Sequence, residues 1–441
     1  MRAPRVQPRV ALVLPALVAL PAVATAAGGG EGHASAGPLL FALAMLVVAA
    51  KAGGLLAERW GQPPVLGELL AGIGLGNLLP LVAACCGVPA LRAEPAILFL
   101  AEIGVLILLF DVGLEADLRA LARAGTSSAL VAVIGLVVPT LLGWGAAAWL
   151  MPERSALVHV FVGATLSATS VGITARVLKD LGATQRRESQ IVLGAAVLDD
   201  ILGLVVLAVV GGLVTAAAAG GAGLSALDVL GILLRAAMFL GVTVGLGHYV
   251  SGPLIRFAGA TGHPETMLAI GLALCFTLAA TAEVIGLAGI VGAFAAGLML
   301  DPWGEGVRSR AEGATLAELL HPLSALFVPL FFVLMGIQVH LESFASAGVL
   351  ALAAVLTVCA LVGKLASGAG VVARGVDRLA VGIGMVPRGE VGLIFAGIGT
   401  SLRLDGAPLL SGEIFSAVVL MVLVTTVVTP VGLKWALGRA G

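Results

Sequence analysis

The chain has 441 residues, of which 60% are hydrophobic and 11% charged, less than half the charged share of an average soluble domain. That excludes a soluble globular protein and marks a polytopic membrane protein. A net charge of −1 excludes nucleic acid as a partner, since no basic face exists to neutralise phosphates. With 61 Gly, 20 Pro and 5% aromatics, neither a coiled coil nor an outer-membrane barrel with aromatic girdles fits, whereas small residues suit close helix packing in lipid. The cysteines Cys85, Cys86, Cys275 and Cys359 and the six histidines show no CxxC, HxxxH or HExxH spacing, so no metal cage, disulfide framework or cofactor is implied. Adjacent Cys85 and Cys86 read as apolar packing.

Arg2, Arg5 and Arg9 precede the apolar run Ala11 to Ala24 and the A-x-A pattern Ala24-Thr25-Ala26. Residues 1–26 read as a signal peptide, with an uncleaved extra helix as the alternative. Apolar segments follow at 38–58, 64–82, 95–114, 127–150, 155–178, 189–216, 226–252, 264–283, 286–301, 315–340, 347–373, 377–400 and 411–435. The expectation is an all-α membrane protein with thirteen transmembrane helices. Orientation follows from the basic residues in the connections. With the mature N-terminus outside, the cytoplasmic side receives Arg119, Arg123, Arg186, Arg187, Arg308, Arg310, Arg374 and Arg378, among others, while the exterior receives Arg92, Arg154 and Arg403. The C-terminus is then cytoplasmic, and an uncleaved leader would leave the later spans unchanged.

Glycine motifs recur along the chain. Gly67 to Gly72 in the second span matches Gly292 to Gly297 in the ninth; Val112-Gly113-Leu114-Glu115 in the third matches Met335-Gly336-Ile337-Gln338 in the tenth; Ser170-Val171-Gly172-Ile173 in the fifth matches Glu390-Val391-Gly392-Leu393 in the twelfth. The offsets are 225 (Gly72 to Gly297), 223 (Gly113 to Gly336) and 220 (Gly172 to Gly392). Spans 1–6 and 8–13 therefore read as two copies of one unit, and a single linker span at 226–252 inverts the second copy. Inverted repeats characterise secondary transporters, whose sites form where corresponding helices are interrupted. The interrupted pair is the fifth span, with Ser167 to Gly172, and the twelfth, with Pro387-Arg388-Gly389-Glu390. Glu390 is expected to face amide ends of the broken helices, with Thr169 and Ser170 offering oxygens beside it; the bland reading of those two hydroxyls is bonding back to their own helix.

The sixth span carries Asp199 and Asp200 in an otherwise apolar run. Each charge at a bilayer centre costs roughly 2.5–3.5 kcal/mol, so the pair needs partners. Lys364, in the eleventh span, lies roughly 14 Å from its cytoplasmic end, and Asp200 roughly 16 Å from the cytoplasmic start of its span. The depths agree. Adjacent helical residues diverge by about 100°, so one Asp can pair with Lys364 while the other turns toward the interrupted spans. A buried carboxylate with no permanent partner binds either a proton or a hard monovalent cation, and one site with two competing occupants is an antiporter. A purely structural Asp–Lys pair is the bland alternative and leaves one carboxylate unexplained. Glu68, Glu102, Asp111, Glu115 and Glu283 lie near span ends and read as solvated or interfacial, and Lys51 as snorkelling.

The strings Pro63-Pro64-Val65-Leu66-Gly67-Glu68, Ala168-Thr169-Ser170-Val171-Gly172-Ile173, Val197-Leu198-Asp199-Asp200 and Pro387-Arg388-Gly389-Glu390-Val391-Gly392 resemble bacterial sodium/proton antiporters of the monovalent cation:proton antiporter-2 family. The resemblance covers about residues 37–437. It implies a homodimer in the bacterial plasma membrane, with a dimerisation domain at 38–114 and 264–340 and a core ion-transport domain at 127–216 and 347–437 that moves like an elevator. It also implies Asp200 as the essential cation and proton site, with Asp199 and Lys364 as the neighbouring pair. Paired Asp with Lys, in place of Asn-Asp with Arg, resembles the electrogenic branch, which exchanges more protons than cations. The end of the chain after Lys434 and Arg439 carries the expectation that no nucleotide-binding tail follows, and with it no glutathione-type ligand control.

Exchange of Na⁺ or Li⁺ for H⁺ is thus the leading expectation, with membrane lipids as the surroundings. A K⁺/H⁺ antiporter on the same scaffold is the runner-up, because residue identities do not fix the cation's radius. An intramembrane aspartyl protease also uses buried carboxylates, but its dyad faces across two helices, whereas these two are consecutive on one. A passive channel would show flux uncoupled from protons.

Overall fold

The computed structural model describes residues 36–86, 95–115, 125–170, 186–218, 263–300, 315–404 and 406–439, with isolated positions between 174 and 183 and between 231 and 253. The expected signal peptide and most of the expected linker span lie outside the described residues. The helices are α1 (Ala36–Arg59), α2 (Pro64–Cys86), α3 (Pro95–Glu115), α4 (Thr126–Leu150), α5 (Ala156–Thr165), α6 (Arg187–Ala218), α7 (Pro264–Val284), α8 (Gly289–Leu300), α9 (Leu316–Ile337), α10 (Ala347–Leu365), α11 (Arg378–Gly384), α12 (Glu390–Ser401) and α13 (Gly412–Arg439). Short 3₁₀ turns at Leu341–Ala345 and Ala366–Gly370 flank α10, and a hairpin pairs Arg403 with Pro408 and Leu404 with Ala407. Among the described residues, eight helices, α1, α3, α4, α6, α7, α9, α10 with its 3₁₀ extension, and α13, are long and apolar enough to cross a bilayer. These labels do not match the thirteen expected spans one to one. The segment 377–400 divides into α11 and α12, and α5 stops at Thr165 within the expected span 155–178.

Helix limits follow local chemistry. Thr315 and Glu318 form a reciprocal capping box at the start of α9, and Asp377 caps α11 by accepting from Leu379 N and Ala380 N. After α1 the chain turns at Gly61 (φ 70°), where Gly61 N donates to Glu58 O and Gln62 N to Ala57 O. After α7 it turns at Gly286 (φ 84°), where Gly286 N donates to Glu283 O and Leu287 N to Ala282 O. Both are Schellman-type ends, in which glycine takes the left-handed conformation at no steric cost.

The helices form two sets that pack chiefly within themselves. In the first, α1 lies on α2, α7 on α8, α3 on α8 and on α9, and α2 on α9. In the second, α4 holds α5, α6 and α10, while α13 packs on α10, α11 and α12. Lipid gives no hydrophobic drive between helices, so contact must come from close approach of backbones. Glycines supply it at several crossings of the first set, two of which involve the recurring motifs. A Cβ on Gly72 of α2 would strike Val333 O of α9, and one on Gly336 of α9 would strike Leu69 O of α2. Likewise a Cβ on Gly113 of α3 would strike Phe294 O of α8, and one on Gly297 of α8 would strike Phe110 O of α3.

Candidate ion site at two interrupted helices

α5 ends at Thr165, and the hydroxyls of its last residues turn back to satisfy orphan carbonyls: Thr165 Oγ1 donates to Val162 O at 2.7 Å and Ser167 Oγ to Ala164 O at 2.8 Å. Residues 168–170 leave the helix and meet residues 385–389, the nonhelical stretch between α11 and α12. Ser170 N donates to Pro387 O at 2.9 Å, and Thr169 Oγ1 to Met385 O at 3.4 Å. Thr169 therefore bonds across the junction and not back to its own helix. Arg388, fully buried, donates from Nη1 to Ser167 O at 3.2 Å and to Ala168 O, placing a fixed positive charge on the carbonyl end of α5. Thr426 of α13 donates to Arg388 O at 2.6 Å. Glu390 opens α12, and the expected position of its carboxylate lies outside the described part of the structure.

Beside this junction, α6 carries the two aspartates. Asp199 is 0% exposed and receives Lys364 Nζ at 3.1 Å on Oδ2 and 3.2 Å on Oδ1. Lys364 is equally sealed and sits in the last turn of α10, where a cation also suits the helix dipole. Gly135 of α4 lies against it, a Cβ there standing in ordinary contact at 3.5 Å from Nζ. Asp200, the next residue on α6, lies about 100° around the helix from Asp199 and is half-buried. The arrangement thus joins Asp199, Asp200, Lys364, Arg388, Thr169 and Ser170 in one neighbourhood.

Several contributors carried weaker signals. Thr174 is buried and donates to Gly384 O at 2.7 Å; its hydroxyl lies just beyond the polar run of the fifth span. Thr425, Thr426 and Thr429 form a buried hydroxyl row on α13 whose spacing alone did not separate them from self-satisfied helical threonines. Glu68, expected to be solvated or interfacial, is instead buried at 6% exposure, because α2 is enclosed by α1 and α9. Lys51 is exposed, and its Nζ hydrogen-bonds Ala325 O.

Residues 40–439 match the family described as sodium/hydrogen exchanger, transmembrane. The chain belongs to that family. Among relatives, it is 34% identical to the high-affinity Na⁺/H⁺ antiporter NhaS3 of Synechocystis, over 90% of this chain and 89% of that protein. It is also 34% identical to the Na⁺/H⁺-K⁺ antiporter GerN of Bacillus cereus, over 90% and 96%. A third relative, an Enterococcus hirae Na⁺/H⁺ antiporter, is 30% identical over 89% and 96%. The fold is similar to the sodium proton antiporter MjNhaP1 of Methanocaldococcus jannaschii, with a TM-score of 0.68, 18% identity, and coverage of 91% of this chain and 98% of that one. As a sodium/hydrogen exchanger family member, the chain is a multi-pass membrane transporter and not an enzyme, which sets aside the aspartyl protease reading.

Proposed function

We propose that the chain exchanges Na⁺ or Li⁺ for H⁺ across the bacterial plasma membrane, electrogenically, by alternating access of a core domain. The observation that carries the reading is the fully buried Lys364–Asp199 pair beside half-buried Asp200, next to the crossing of two interrupted segments. Asp200 binds either the cation or a proton. Asp199, held by Lys364, supplies neighbouring negative charge without being free to leave. Thr169 and Ser170 offer oxygens at the junction, while Arg388 and Glu390 offset the exposed ends of the broken helices. Because Lys364 as well as Asp200 can release a proton when a cation enters, more than one H⁺ can move per cation, which makes exchange respond to voltage.

The same reading assigns 38–114 and 264–340 to a dimerisation domain, 127–216 and 347–437 to the moving core, and 226–252 to a linker, within thirteen spans built as two inverted repeats. Recurrence supports the repeat. The turn at Gly61 and the turn at Gly286 have the same hydrogen bonds at a constant offset of 225 (Ala57 to Ala282, Gly61 to Gly286). Under the motif matches Gly72 with Gly297 and Gly113 with Gly336, the contact of Gly72 with α9 becomes the contact of Gly297 with α3. The mature N-terminus lies outside and the C-terminus inside, as the basic connections require. The assembly is a homodimer.

A K⁺/H⁺ exchanger on the same scaffold is the second reading, favoured by the 34% identity to a relative named for both Na⁺ and K⁺. Proteoliposomes with an acid interior and a pH-sensitive dye test both. Alkalinisation by Na⁺ or Li⁺ that responds to voltage and vanishes in Asp200→Asn supports the first reading, and a response to K⁺ alone supports the second. A correctly folded protein giving no cation-dependent proton movement refutes both.

A further inference from the structure

The corner between α9 and α10 carries a polar cluster far along the chain from the aspartates. Asn77, on α2, donates from Nδ2 to Ile73 O at 2.8 Å and to Val339 O at 3.0 Å, and its Oδ1 accepts from Leu341 N at 3.1 Å. These bonds bracket the chain just after α9 ends and pin it to α2. The same corner reaches the second set of helices. Thr400 Oγ1 of α12 shares its proton between Gly397 O at 2.7 Å and Gln338 Oε1 at 3.3 Å, while His340 N donates to Ser416 Oγ of α13 at 3.3 Å. His340 Nδ1 is buried and, among the described residues, has no hydrogen-bond partner.

The other part of the same seam is different. There Leu66 and Leu69 of α2 face Gly389, Leu393 and Val422 across a small apolar crevice. Apolar contact is non-directional and survives sliding, whereas hydrogen bonds hold only near one geometry. Relative movement of the two helix sets must therefore break the bonds at the corner while the crevice residues slide.

We propose that residues 338–341 form a latch between the dimerisation domain and the core, with Gln338, Thr400 and Ser416 as positioning residues and Asn77 as the anchor that holds the corner on α2. The proposal rests on the two-domain exchange reading above and adds the element that sets the balance between the two orientations of the core. Losing one neutral hydrogen bond shifts such a balance by roughly two- to tenfold, with no change in the groups that bind the ion.

The test uses the full chain in proteoliposomes of uniform orientation, with cation KM and kcat measured from each side for wild type, Thr400→Val, Thr400→Ser and Ser416→Ala. Thr400→Val is expected to move KM by roughly two- to tenfold in opposite directions on the two sides. Thr400→Ser, which keeps the hydroxyl, is expected to match wild type, and Ser416→Ala to act in the sense of Thr400→Val. If Thr400→Val fails to fold, Gln338→Leu takes its place in the comparison. Active wild type with both latch variants unchanged, or changed equally on both sides, overturns the latch alone. Inactive wild type overturns the exchange reading and the latch with it.

Discussion

Replacing Lys364 by Met removes the only cation that the described structure bonds to Asp199, and does so where neither side chain touches solvent. Nζ lies 3.1 and 3.2 Å from the two carboxylate oxygens, so the one substitution strips both oxygens of Asp199 of their partner. Breaking a buried pair from one side costs about 3–5 kcal/mol, because the charge left behind has neither water nor a counter-ion. Replacing both partners with apolar side chains, Lys364→Met with Asp199→Leu, removes that penalty and returns stability to within about 1 kcal/mol of wild type or above it. Thermal unfolding of the purified single and double variants, combined as a double-mutant cycle, reads the coupling directly. A double variant whose loss equals the sum of the two single losses would refute the claim that these groups stabilise one another.

Asp200→Asn is expected to abolish cation-coupled proton flux while leaving the melting temperature close to that of wild type, since the Lys364–Asp199 bond remains; a large fall in melting temperature would place Asp200 in the structural pair instead. Gly336→Val and Gly297→Val should destabilise alike, each by more than about 1–3 kcal/mol, because each new Cβ falls on a backbone carbonyl that cannot move aside; normal stability in either would contradict the packing. Arg388→Leu strips the donors from Ser167 O and Ala168 O and should cost about 1–3 kcal/mol for each carbonyl left dry. Arg388→Lys should recover part of that, and full recovery, measured by the same melts, would show that only charge and not the guanidinium's reach is needed.

Much of this was legible because lipid makes certain residues conspicuous. Asp199, Asp200 and Lys364 stand out against apolar runs, and the Pro387-Arg388-Gly389 break against a helical pattern, since each carries a free-energy cost that something must offset. The glycine motifs were equally visible, but their partners were not. Sequence matched Gly72 with Gly297, whereas space sets Gly72 against α9 and Gly297 against α3, a relation that needs the fold. Glu68 is buried and not interfacial because distance from a span end says nothing of neighbouring helices. Which aspartate meets Lys364 depends on helix rotation, and residue spacing leaves that angle free. The hydroxyls of Thr174 and Thr426 were hidden for the converse reason: a threonine in a helix can always satisfy itself.

The junction of the two broken segments also governs how the protein is made. Ser167 O, Ala168 O and Ser170 N–H emerge from the ribosome early, yet their partners Pro387 and Arg388 follow about 220 residues later. At roughly 5–20 residues per second, synthesis leaves that opening unfilled for about 11–44 s. During that time three backbone groups that hydrocarbon cannot satisfy must stay in contact with water, with the insertion machinery or with an interim partner. The first half of the chain is therefore a client in waiting: the crossing closes only once Pro387 and Arg388 have been made, and a chain truncated before Pro387 should be held back and degraded by quality control instead of accumulating as a stable half.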